Sequence, residues 1–222
     1  MLVQIKYVLG ESELRQARKL LAAADFRDGR LSAGATAQVV KHNEEVNSED
    51  SVSELNRLVV GNLVRHPEYK LAALPYRIAV PFYVRYREGM YYGEHIDDPV
   101  MGEHDRYRSD VAITIFLSSP DEYEGGDLVI QTPFGVQKIK CPAGDAVLYP
   151  ASTRHQVARV TGGERLAAVT WVQSLVRSHE QRGLLYQLGK TREKLLRRDP
   201  DTEDAKCVDN VYVNLVRMWS DT

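Results

Sequence analysis

Tyr83-Val84-Arg85-Tyr86-Arg87-Glu88-Gly89-Met90-Tyr91-Tyr92-Gly93-Glu94-His95-Ile96-Asp97 is the stretch from which the fold can be read. Aromatic and β-branched residues crowd both sides of Gly89, so it reads as strand, turn, strand. The same texture continues downstream. Segments near 78–86, 92–97, 111–117, 127–130, 136–140, 146–149, 155–160 and 165–173 are short and rich in Val, Ile, Leu, Tyr and Thr. Pro81, Pro99, Pro120, Gly125-Gly126, Phe134-Gly135, Pro142, Gly144, Pro150 and Gly162-Gly163 separate them. Short strands with frequent turns predict a sandwich or jelly roll. No helix-length segment lies between them, which argues against a parallel α/β sheet.

The flanks are different. Gln4 to Val8 is strand-like, and Ser12 is the expected N-cap of a helix running to about Ala24. A second helical stretch spans Ser48 to Arg65, with Val52, Leu55, Leu58, Val59 and Leu63 at helical spacing and Pro67 just past its end. Ser178 to about Arg198 and Glu203 to Trp219 are helical again, separated by Asp199-Pro200-Asp201. The expected architecture is therefore mainly β with flanking helices. Residues 1–77 support a core domain over 78–177, and 178–222 form a C-terminal helical extension. Such an amphipathic tail packs on the barrel, and it could also serve a homo-oligomer or a partner.

A chain of 222 residues with 43% hydrophobic and 27% charged content is that of a soluble globular domain with a sizeable core. Its net charge of −2, from 29 basic and 31 acidic residues, gives no electrostatic footprint for nucleic acid. Apolar runs such as Val111 to Leu117 are too short to span a bilayer. Met1 to Leu9 carries no basic leader region and no small-residue cleavage site, so a cytoplasmic location is expected. Cys141 and Cys207 then read as free thiols.

His95 and Asp97 are two residues apart, so on a strand they point to one face. A second histidine, His155, would complete two imidazoles and a carboxylate. That set suits Fe(II) and leaves coordination positions open, whereas a structural zinc site more often draws on cysteine. Arg165, ten residues after His155, could hold the far carboxylate of an iron-chelating 2-oxo acid. The lead-in is Tyr86-x-x-Gly89-x-x-Tyr92-x-x-His95-x-Asp97; Pro142-Ala143-Gly144-Asp145-Ala146-Val147-Leu148-Tyr149-Pro150 precedes His155, and Trp171 follows Arg165.

On these motifs, Ile78 to Gln173 resembles the catalytic core of the prolyl-hydroxylase branch of Fe(II)/2-oxoglutarate-dependent dioxygenases. With Glu122-Tyr123-Glu124-Gly125-Gly126-Asp127-Leu128 and the charged helical tail, essentially the whole chain resembles the bacterial PKHD-type hydroxylases. The resemblance implies a double-stranded β-helix core with iron held by His95, Asp97 and His155, and 2-oxoglutarate bound by Arg165. It also implies O₂ as co-substrate, ascorbate keeping the iron reduced, and hydroxylation of a prolyl or other residue or of a small molecule linked to iron uptake. A non-catalytic metal-binding jelly roll, acting as an iron sensor or ligand-binding module, is the alternative; it would not need Arg165.

Strand parity tests Arg165. A two-residue hairpin at Gly162-Gly163 would turn Arg165 away from the face of His155, whereas a three-residue loop would put both on one face. The expectation is an odd-length loop with Arg165, Ala167, Val169 and Trp171 inward, and Arg159 in reserve. Many relatives carry a serine where this chain has Ala167; a tyrosine hydroxyl, that of Tyr86, is the candidate replacement, and Tyr86 reads equally as a core aromatic with its hydroxyl at the barrel mouth. His104 reads as a solvated loop residue, and His42, His66 and His179 lack partner spacing. Asp145 and Arg154 read as turn or surface residues.

Overall fold

The alternation of apolar residues is resolved in a computed structural model that describes residues 1–102 and 105–221. His104 lies outside the described residues. The main antiparallel sheet runs β1 (Val3–Ile5), β14 (Ala146–Pro150), β10 (Val111–Phe116), β16 (Val160–Ser174), β6 (Phe82–Arg87), β4 (Glu44–Val46) and β2 (Phe26–Asp28). Two further strands, β5 (Pro75–Ile78) and β11 (Tyr123–Gly125), pair with the ends of β16. The second sheet is β13 (Gly135–Ile139), β12 (Leu128–Thr132), β15 (His155–Val157), β7 (Tyr91–His95) and β3 (Lys41–His42). A ribbon of β8 (Val100–Met101) and β9 (Tyr107–Arg108) completes the strands.

Every residue of β10 is buried because the main sheet is covered on both faces. Val111, Ile113 and Ile115 pack with Leu148, Leu166, Ala168 and Val172 against helices. Ala112 and Phe116 instead pack with Val147, Tyr149 and Trp171 against Leu128 and Ile130 of the second sheet. This is the predicted jelly roll.

The covering helices are α1 (Glu11–Ala23), α3 (Glu49–Leu63) and α4 (Pro67–Ala73), with the short α2 (Ala35–Gln38) nearby. Ala17 and Leu21 of α1, and Leu55, Val59 and Leu63 of α3, enter the core. Two boundaries differ from expectation. α1 starts after Gly10 rather than at a Ser12 cap, and Glu11 and Glu13 then sit in its first turn, where the helix dipole favours acids. Pro67 does not merely follow a helix but opens α4, since its fixed φ and missing N–H suit a first helical position.

The tail forms α5 (His179–Arg198), capped by Ser178, and α6 (Glu203–Trp219), capped by Thr202. Leu185 of α5 is buried with Leu74 and Val176, and Tyr212, Leu215, Val216 and Trp219 of α6 pack on that cluster. The buried Arg182 guanidinium donates to the carbonyls of Val176, Arg177 and Asp110, tying the extension to the core. Among the described residues, no helix is long and apolar enough to cross a membrane.

The loop-parity expectation at Gly162-Gly163 is overturned. No hairpin joins β15 to β16: the chain crosses from one sheet to the other near Ala158-Arg159, and both glycines lie inside β16. There they face β11, with Tyr123 opposite Gly163 and Glu124 opposite Gly162. Gly163 has φ +73, and a Cβ on it would stand 2.2 Å from the Glu122 carbonyl oxygen. The glycine is required for close strand approach, not for a turn. Gly163→Ala is therefore expected to destabilise the fold by about 1–3 kcal/mol, read as a lower urea midpoint with an unchanged slope. An unaltered midpoint would mean that β11 gives way freely.

Candidate active site

β7 and β15 are antiparallel neighbours in the second sheet, and their register sets His95 directly opposite His155. The ring centroids are 4.3 Å apart. β7 ends at His95, so Asp97 follows in the loop rather than on the strand as expected. It nevertheless turns back, with Oδ1 3.9 Å from His95 Nε2 and 3.8 Å from His155 Nε2. Among the described residues, these three form the one cluster of His, Cys, Asp or Glu side chains close enough to share a metal ion.

The protonation pattern favours a ligand set. His95 Nδ1 lies 2.8 Å from the Gly93 carbonyl oxygen, and His155 Nδ1 lies 2.9 Å from that of Thr153. A carbonyl oxygen only accepts, so each Nδ1 carries the proton and each Nε2 presents its lone pair toward Asp97. Burial, reinforced by the facing His155, lowers the His95 pKa, and burial lowers that of His155. Burial raises the Asp97 pKa, partly opposed by the nearby Trp171 indole N–H and by His95. Trp171 Nε1 and Asp97 Oδ2 are both buried without a formed hydrogen bond. Two neutral imidazoles beside a desolvated carboxylate make a place where a divalent cation is better accommodated than a proton. Tyr92 stacks on His95 at 3.8 Å, and Tyr149 meets His155 edge-on at 5.1 Å, fixing both rings.

Arg165 reaches the same interior from the opposite sheet. Along β16, Leu166, Ala168 and Val172 join the helix-side core, while Ala167, Val169 and Trp171 pack toward the second sheet. Arg165 falls on the inward parity, opposite Tyr86 of β6. It is only 1% exposed, and Nε, Nη1 and Nη2 have no hydrogen-bond partner. The guanidinium lies 5.2 Å from the Tyr86 ring centre and 5.5 Å from that of Phe116. Those rings offset a little of its desolvation, but no acidic side chain among the described residues pairs with it. The reserve candidate, Arg159, is exposed and donates to the Gly89 carbonyl.

Two tyrosines that motif reading did not single out complete this region. Tyr123 of β11 is diagonal to Arg165 across β16, and its buried hydroxyl has no partner although the guanidinium is adjacent. Tyr149 is near Asp97 on one side and Arg165 on the other, with its hydroxyl beside Thr114. Tyr86 offers Arg165 its ring, and its hydroxyl, pushed up to about 12 by burial, is near Asn43. Of the residues expected on the surface, Asp145 is buried and accepts from Gln4 Nε2 and the Tyr7 backbone N–H, anchoring β1. Arg154 is exposed beside Glu94, and His42, His66 and His179 stay outside the cluster.

Comparison with known proteins agrees with this geometry. Residues 81–173 match the 2OG-Fe(II) oxygenase superfamily, and residues 179–221 match the PKHD-type hydroxylase C-terminal domain. The fold and the site thus define a 2-oxoglutarate- and Fe(II)-dependent oxygenase, whose chemistry uses Fe²⁺, 2-oxoglutarate and O₂. A PKHD-type hydroxylase of Thioalkalivibrio sulfidiphilus is 51% identical over 223 residues, covering 100% of both chains. One of Paraburkholderia phymatum is 41% identical over 227 residues, again with 100% coverage of both. The chain belongs to the PKHD-type hydroxylase family. Among solved structures, a Trichoplax adhaerens prolyl hydroxylase in complex with a peptide fragment of hypoxia inducible factor is similar in fold. Its TM-score is 0.56 at 18% identity, over 82% of this chain and 86% of that one. A Pseudomonas putida prolyl-4-hydroxylase gives 0.51 at 17% identity, over 78% and 92%.

Proposed function

We propose that His95, Asp97 and His155 hold the catalytic Fe(II), and that Arg165 pairs with the distal carboxylate of 2-oxoglutarate to support hydroxylation of a substrate C–H bond. The observation that carries this reading is the buried, unpaired Arg165 guanidinium facing a His-Asp-His set whose Nε2 lone pairs are free. A desolvated cation without a counter-charge is costly, and an incoming carboxylate removes that cost. A module that only bound metal would have no use for it.

Bound iron supplies O₂ activation: 2-oxoglutarate is oxidised to succinate and CO₂, one oxygen atom entering succinate and the other the substrate as hydroxyl. The chain's residues supply the rest. Arg165 orients the co-substrate, the rings of Tyr86, Phe116 and Tyr149 exclude water, and the nearby Trp171 N–H offsets part of the cost of ionising the buried Asp97 carboxylate. Ascorbate is the reductant assigned to restore Fe(II). The catalytic unit spans 78–177, with 1–77 supporting it and 178–222 as its extension. The test is an anaerobic titration with Fe(II) and 2-oxoglutarate. A weak visible charge-transfer band is expected in the wild type and not in Asp97→Ala; no band in the wild type would refute the assignment.

Tyr123, rather than Tyr86, supplies the second donor to the distal carboxylate. Its hydroxyl is unpaired beside Arg165, whereas Tyr86 meets the guanidinium through its ring. Tyr123→Phe should raise the 2-oxoglutarate Kd about tenfold, the worth of one hydrogen bond to a carboxylate. Tyr86→Phe should change it less. Calorimetric titration ranks the two, and a larger loss in Tyr86→Phe would reverse the assignment.

A further inference from the structure

Residues 41–45 cross between the two sheets. β3 sets Lys41 opposite Tyr92 of β7, and β4 sets Glu45 opposite Val84 of β6. The alternating residues Lys41, Asn43 and Glu45 are all buried, although an inward strand face is ordinarily apolar. Lys41 Nζ pairs with Glu45 Oε1 at 2.5 Å, and both contact Ser32 Oγ, at 3.0 and 2.9 Å. That ion pair accounts for Lys41 and for one oxygen of Glu45. It does not account for Glu45 Oε2, nor for Asn43 Nδ2 and Oδ1, none of which has a partner.

These orphaned atoms border the proposed site. The Tyr86 hydroxyl approaches Asn43 at hydrogen-bonding range without a well-formed bond and is near Glu45, and the Tyr86 ring is against Arg165. Lys41 Nζ lies 5.4 Å from the centre of the Tyr92 ring, which is itself stacked on His95. The Asn43 carboxamide also packs tightly on Gly29, where a Cβ would stand 2.0 Å from Oδ1. A buried carboxamide whose one polar neighbour, the Tyr86 hydroxyl, makes no well-formed hydrogen bond with it weakens the fold unless a ligand uses it.

We infer that Asn43 and Glu45 form a substrate subsite that recognises a secondary amide, by two-point hydrogen bonding to its C=O and N–H. Asn43 Nδ2 donates to the amide oxygen, and Asn43 Oδ1 or Glu45 Oε2 accepts from the amide N–H. The class follows from charge as well as from donors. Lys41 already neutralises Glu45, so the subsite has no net charge with which to favour an amine or a carboxylate. An ester would leave the acceptors unpaired. The inference rests on the proposed metal and co-substrate assignment.

The test uses full-length protein loaded with Zn(II) and 2-oxoglutarate, titrated with N-acetyl amino-acid methylamides and the matching methyl esters by ligand-observed NMR. The wild type should prefer amides about tenfold, one hydrogen bond's worth, and Asn43→Leu should bind the two series alike. Without ligands, Asn43→Leu should melt above the wild type, because an apolar group of similar size removes the unpaired amide. Asn43→Ser gives the same loss of preference should leucine not be accommodated. Longer capped peptides binding tighter than single residues would place the amide in a polypeptide, and level affinity would place it in a small molecule. Equal amide and ester affinity in the wild type, no probe binding, or a preference persisting in Asn43→Leu would overturn the inference. Failure of 2-oxoglutarate itself to bind the wild type would instead strike the co-substrate assignment beneath it.

Discussion

Arg165→Met is expected to abolish 2-oxoglutarate binding and, at the same time, to make the ligand-free protein more stable. The two effects share one cause. Arg165 is among the largest fully buried side chains, and among the described residues it has no counter-ion and no well-formed hydrogen bond. Replacing a buried charge with an apolar side chain of similar volume can stabilise a fold by about 1–4 kcal/mol, which for a chain of this size is several degrees in Tm. Removing the buried cation that pairs with the co-substrate should cost about 2–5 kcal/mol of binding, a loss of roughly 30-fold to several thousand-fold in affinity. Thermal unfolding with and without 2-oxoglutarate, on protein loaded with a redox-inert metal, separates the two. A concentration of about 100 times Kd stabilises the wild type by about 2.7 kcal/mol, whereas the variant should start higher and not move. A variant that melts lower and still responds to 2-oxoglutarate would make Arg165 a structural residue and leave the pocket elsewhere.

Legibility from sequence followed the length of each element. The strands of the core were visible because Val111 to Phe116 or Ala146 to Pro150 run long enough to show their period, and helices α5 and α6 because their apolar residues recur over long segments on either side of Asp199-Pro200-Asp201. β2, β3 and β4 have two or three residues each, too few for any period to emerge. Lys41-x-Asn43-x-Glu45 accordingly looks like solvent-exposed chain, and only its pairing with β7 and β6 turns it inward. The inward face of Arg165 was expected on grounds that proved wrong. Turn chemistry at Gly162-Gly163 cannot distinguish a hairpin from a strand that crosses to the other sheet, because both need glycine where backbones approach. His95 and His155 were legible as residue types, but their direct opposition depends on register, which the long intervening chain conceals.

Asp97→Asn is expected to lose metal and to expose an opposing pH dependence that the wild type hides. In the metal-free fold, burial holds the Asp97 pKa above its ordinary 3.8, so the ionised carboxylate weakens the fold at neutral pH. That weakening disappears as pH falls through the raised value, because the folded state then binds the extra proton. The histidines act in the opposite sense. Burial holds His95 and His155 below their ordinary 6.5, so the unfolded chain takes up protons first and stability falls as pH drops below 6.5. In the wild type the two slopes partly cancel between 3.8 and 6.5. Asparagine removes the carboxylate's share, so Asp97→Asn should be more stable than wild type at pH 7 and lose stability more steeply on acidification. Metal reports the same proton. Wild-type affinity for Co(II) should fall by up to about tenfold per pH unit once Asp97 protonates, since the metal must displace that proton. His95, held lower by burial, does not compete until lower pH. Asp97→Asn should bind at least about 100-fold more weakly, beyond the loss usual for a group that only orients a ligand, and without the carboxylate's step in its pH profile. Urea unfolding and Co(II) titration across this range measure both. A variant with wild-type affinity and an unchanged pH profile would place the metal elsewhere.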